Sequence, residues 1–132
     1  MDSTSIELPG SQISAVKVQD DTIRVEFAPA YLVKSMTGSS ERTRWWQNGA
    51  LVFEGATLDD EHPLPVLPAA CSGGDVGENV FTYRDMVPVP LNSRGHAHCA
   101  LRVGGELIRV TANAVRLDMV DVPRYIEHLR RE

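Results

Sequence analysis

The 132-residue sequence has only two cysteines, no surplus of positive charge and no long apolar run, and each shortage narrows what the chain can do. Cys71 and Cys99 alone make no disulfide framework, and in a reducing compartment both are expected to be free thiols. A net charge of −5 leaves no basic stripe to neutralise phosphates, so a nucleic-acid partner is not expected. No apolar stretch approaches the ~20 residues of a membrane helix, so no membrane partner is expected either. The opening M-D-S-T-S-I-E-L-P-G has neither the basic start nor the apolar run of a secretory signal. A cytoplasmic location is the resulting expectation.

Motifs for cofactors and catalysis are equally scarce. The glycines of A-C-S-G-G-D-V-G around Cys71 are followed by no G-K-[ST], and no dinucleotide fingerprint occurs. Cys71 as a loop nucleophile would need a base from His62, His96 or His98, and no spacing enforces that arrangement. The acid run Asp59, Asp60, Glu61 lacks the alternating oxygen ligands and the glycine of a calcium loop. No cofactor is expected.

Hairpin signals are what the sequence does have. In W-W-Q-N-G-A-L-V-F, Asn48-Gly49 is a preferred type I′ turn pair, which would set Trp46 opposite Leu51 and leave Trp45 and Val52 on the other face. A second hairpin turns at Gly104-Gly105, pairing Val103 with Glu106, Leu101 with Ile108, Cys99 with Val110 and His98 with Thr111. A third turns at Asp20-Asp21, with Val16, Val18, Ile23, Val25 and Phe27 on one apolar face. Further strands are expected over 31–35, 80–84 and 114–120.

The prolines of D-D-E-H-P-L-P-V-L-P oppose a central strand, so a long Pro/Gly loop is expected over 58–77. Pro63, Pro65 and Pro68 would also suit a ligand for a proline-binding groove, but a crossing over one end of the barrel is the preferred explanation. Asp121 as N-cap, Pro123 in the first turn, and Tyr125, Ile126 and Leu129 at helical spacing predict a helix over 122–131. A single domain over 1–132 results, β-rich over 5–120. Its expected fold is mainly β, an antiparallel hairpin-built barrel or sandwich of about 7–8 short strands with one C-terminal helix.

Two clusters compete as sites. In R-G-H-A-H-C, His96 and His98 share a strand face and could chelate one metal, with His62 or a neighbouring acid as third ligand. Cys99 points the other way. The cupin pattern fails here, because the first acid after the histidines is Glu106 and Gly95 abuts His96. The stronger cluster is Trp45 and Trp46, since adjacent strand residues cannot enter the same core face. One indole must lie on a second face, where Val52 and Tyr125 would join it as a binding surface. The expected function is a non-catalytic protein-interaction or accessory module, homodimeric in one form, with a protein partner or a second copy on that face. The alternatives are a β-barrel holding a small apolar ligand and a metal-dependent enzyme built on His96 and His98.

Overall fold

A computed structural model of the chain describes residues 2–38, 41–59, 61 and 63–129. The two-residue alternation of apolar and polar side chains yields strands: β1 Ser3–Glu7, β2 Gln12–Gln19, β3 Thr22–Ser35, β4 Arg42–Glu54, β5 Thr57–Leu58, β6 Ala69–Glu78, β7 Phe81–Arg84, β8 Met86–Val89, β9 Asn92–Val103 and β10 Glu106–Leu129. All belong to one antiparallel sheet, ordered β2-β6-β9-β10-β4-β3-β1-β8, with β5 on β10 and β7 on β6. Because β3 also pairs with β2, the hydrogen-bonded order β2-β6-β9-β10-β4-β3 returns to its start. The β2–β6 join is the short one, with Gln12 opposite Ala70 and Ile13 opposite Ala69. Bonds from the Gly10 amide to the Cys71 carbonyl (2.8 Å) and from the Cys71 amide to the Ser11 carbonyl (2.7 Å) reinforce it.

Inside this circuit sit Val25, Phe27, Leu51, Phe53, Val76, Cys99, Leu101, Ile108 and Val110, each at most 1% exposed. Far ends of β3, β4 and β10 leave the circuit and, with β1 and β8, form a wing. Ile6, Leu32, Trp45 and Tyr125 stand in one row across the wing's inner face. Ile6 and Leu32 are buried there.

Four sequence expectations need correction. No helix occurs among the described residues. The segment read as a helix over 122–131 instead continues β10 to Leu129, while Arg130 and Arg131 lie outside the described residues. Asp121 adopts φ +61° and, with Pro123, occupies an irregularity between Val120 and Arg124, after which Arg124 pairs with Trp46 and Tyr125 with Trp45. A polar residue before a proline serves a β-bulge as well as a helix start. The expected loop over 58–77 is also shorter, because its glycine-rich half is β6. A Cβ on Gly74 would lie 2.8 Å from the Leu101 Cα, so glycine there permits close contact with β9. Finally, Asn48-Gly49 makes no turn, and β4 runs straight through it. Gly49 is small because β10 crosses it closely, with Met119 Sδ 2.7 Å from where a Cβ would stand. Among the described residues ten strands, several of them long, replace the expected 7–8 short ones.

Candidate functional site

Without a turn at Gly49, the alternation along β4 is unbroken, and the two tryptophans separate. Trp45 goes inward with Gln47, Leu51 and Phe53 and packs against the core. Its indole N–H donates to Thr43 Oγ1 at 2.8 Å, and its ring meets Tyr125 edge-on at 5.3 Å. The Lys34 ammonium lies 4.3 Å from the indole centroid, a cation–π contact on the same side. Trp46 goes outward. The two faces are thus assigned in reverse of the turn-based expectation, which put Trp46 inside and Trp45 outside.

On the outer face of the wing, Glu7, Tyr31, Trp46 and Arg124 form one row across β1, β3, β4 and β10. Arg124 approaches the Trp46 ring at 5.7 Å. Trp46, Tyr31, Ala28, Pro29, Asn48 and Ile126 line an open groove of about 440 Å³. Ile126 reaches it because β10 carries a second register shift between Tyr125 and Glu127. Tyr31 and Ile126 also border a neighbouring groove of about 370 Å³ that is floored by charge. There Arg44 bridges Glu7 (3.1 Å) and Glu127 (3.4 Å). An apolar furrow and a charged one therefore share a ridge.

Ser11 and Gln47, the buried polar residues among those described, both support this region. Ser11 Oγ donates to the Glu7 carbonyl at 2.6 Å and accepts from the Tyr31 amide at 3.0 Å. The Gln47 amide donates to the carbonyls of Asp121 (2.8 Å) and Val120 (3.4 Å) inside the β10 irregularity. Nothing in the spacing of Ser11 or Gln47 marks them as supports. Tyr31, Pro29 and Ile126 were likewise hidden, because they join Trp46 only through bends in β3 and β10.

Val52 does not belong to this surface. It faces outward but is 1% exposed, covered by charged side chains on the strands beside it. Arg24 pairs with Glu26 (3.4 Å) and Asp118 (3.2 Å), and Arg116 pairs with Asp118 (3.2 Å) and Glu54. Such solvent-facing pairs add little stability each. Their chief effect here is to give that part of the sheet a charged outer surface above Val52, in contrast to the groove.

His96 and His98 share a face of β9 with ring centroids 5.7 Å apart. Thr111 lies across from His98, as the hairpin register predicts. The His98 ring lies over Gly77 of β6, in the space a Cβ would need. Among the described residues no three His, Cys, Asp or Glu side chains are gathered as a metal set, and His62 lies outside them, as does Asp60. Cys71 and Cys99 are buried free thiols. Burial pushes both thiols up, Cys99 to about 12, which opposes the thiolate a nucleophile requires. Comparison with protein-family models, curated proteins and solved structures returns no match for the chain.

Proposed function

We propose that the chain is a non-catalytic interaction module whose docking surface is the groove of Trp46, Tyr31, Pro29 and Ile126. One observation carries the reading: two aromatic rings, a proline and an isoleucine converge on the outer face of a sheet whose neighbouring outer positions are ion-paired. Tryptophan and tyrosine are the residues on which binding energy concentrates at protein interfaces. Arg124, Arg44, Glu7 and Glu127 supply a polar border. The net charge of −5 favours a protein partner over a nucleic acid, and the buried free thiols suit a reducing, cytoplasmic setting.

The pairing circuit supports reading the main body as a small closed barrel with the wing as its extension. Its interior positions are filled by side chains, as in other narrow barrels. A small apolar ligand would therefore bind in the outer groove, whose about 440 Å³ lies within the usual range of ligand pockets.

Selection of a random peptide library on the immobilised protein tests the docking surface. Peptides enriched on the native chain and lost on Trp46→Ala and Ile126→Asp are the expected result. Enrichment indifferent to both substitutions, or none, would overturn the assignment.

A further inference from the structure

We propose that the occupant of the groove is residues 63–66 of a second copy of the chain, the segment P-L-P-V, so that copies associate segment-into-groove. The inference rests on the reading of the groove as a docking surface and names its partner.

Residues 63–66 belong to no strand, and the prolines at 63 and 65 hold φ near the polyproline value. Pro65 is buried, and its Cβ stands 3.4 Å from where Gly104 would carry one, so the segment is pinned against the β9–β10 hairpin. With three residues per turn, Pro63 and Val66 fall on one edge. Pro63 is exposed on that edge, and Val66 is 91% exposed. Leu64 is 42% exposed beside them. The segment therefore presents apolar side chains to water from a backbone that is already extended and anchored, and docking it costs little ordering entropy.

Extended proline segments dock in shallow furrows lined by aromatic rings. The groove has that chemistry: Trp46 and Tyr31 stand opposite each other on adjacent strands, with Pro29 and Ile126 at the sides. Charge agrees as well. Exposed Glu61 precedes the segment by two positions, and the Arg124 guanidinium borders the groove over Trp46. Strand addition at the open edge of β10 is the rival mode of association. That edge is blunted by Pro123, the left-handed Asp121 and two register shifts, the devices by which sheets resist edge pairing.

Two variants each remove one half of the contact: Trp46→Ala spoils the groove and keeps the segment, and Val66→Asp does the reverse. Sedimentation velocity should show the native chain associating beyond its 14.5 kDa monomer, and each variant alone weakened at least about tenfold. An equimolar mixture of the two should recover association, because one intact groove then meets one intact segment. Adding Trp46→Ala to the Val66→Asp chain should abolish that recovery. Leu64→Asp repeats the test on the segment side, and circular dichroism confirms that each variant folds. A native chain monomeric at millimolar concentration, or a mixture no more associated than its components, would overturn self-docking. If library peptides still bind through Trp46 in that case, the docking surface stands and only its occupant was misassigned.

Discussion

The Gln47 side-chain amide donates to the Asp121 carbonyl at 2.8 Å from a position only 7% exposed. That bond joins β4 to the place where β10 takes up extra residues, between Val120 and Arg124. Beyond it β10 carries Arg124 to Trp46 and Ile126 to the groove. A buried amide thus holds the bend that builds the surface.

Gln47→Leu removes the donor and leaves two carbonyls without it, at an expected cost of about 1–3 kcal/mol. Chemical denaturation measures the loss. Amide exchange in the native state should accelerate most over 120–126, whereas a uniform change along the chain would mean that Gln47 only fills space.

Gly49 is small because of its neighbour and needs no unusual backbone. A side chain there meets Met119 Sδ at 2.7 Å and the Asp118 carbonyl at 2.9 Å. Gly49→Val should destabilise by about 1–3 kcal/mol through overpacking. Met119→Ala in the same chain should recover part of that loss, since the sulfur yields space and the carbonyl does not. If Gly49→Val were neutral in a melting experiment, the close crossing of β10 would be refuted.

Trp45 and Trp46 should separate stability from binding. Trp45→Ala removes an indole packed on the core and is expected to cost about 3 kcal/mol, with groove binding kept in the folded fraction. Trp46→Ala should shift the melting curve far less and abolish peptide binding. Reversed effects would restore the assignment that a turn at Asn48-Gly49 implies.

Burial pushes the Cys99 thiol up to about 12. Unfolded, the same thiol ionises near an ordinary value of about 8.5. Below that value both states keep the proton and the stabilisation is fully present. Above it the unfolded chain loses the proton first, so stability falls as pH rises toward the folded value. Cys71 is shifted in the same direction. Urea unfolding between neutral pH and about pH 10 should therefore show declining stability, less steeply for Cys99→Ala. Equal slopes would remove the buried thiol as a cause.

Local pattern was enough where a turn and its strands agreed. Gly104-Gly105 has glycine at both positive-φ turn positions, and the register from Val103 opposite Glu106 to Ala97 opposite Ala112 follows from alternation alone. Ile23 and Val25 face Val18 and Val16 for the same reason. Asn48-Gly49 carried as strong a turn signal, but a glycine demanded by a crossing strand is indistinguishable in sequence from one demanded by a turn. That single ambiguity exchanged the faces of Trp45 and Trp46. The segment from Val122 to Leu129 read as helical because its bulges place apolar residues at spacings that imitate a helical period. The groove could not be read from any one segment, since β3, β4 and β10 each contribute to it.

The most direct test is collisional quenching of the two single-tryptophan proteins, Trp45→Phe and Trp46→Phe, with and without a peptide selected on the native chain. The account predicts that peptide shields Trp46 from iodide and leaves the quenching of Trp45 unchanged. Shielding of Trp45 alone, or of neither indole by a peptide shown to be bound, would contradict it.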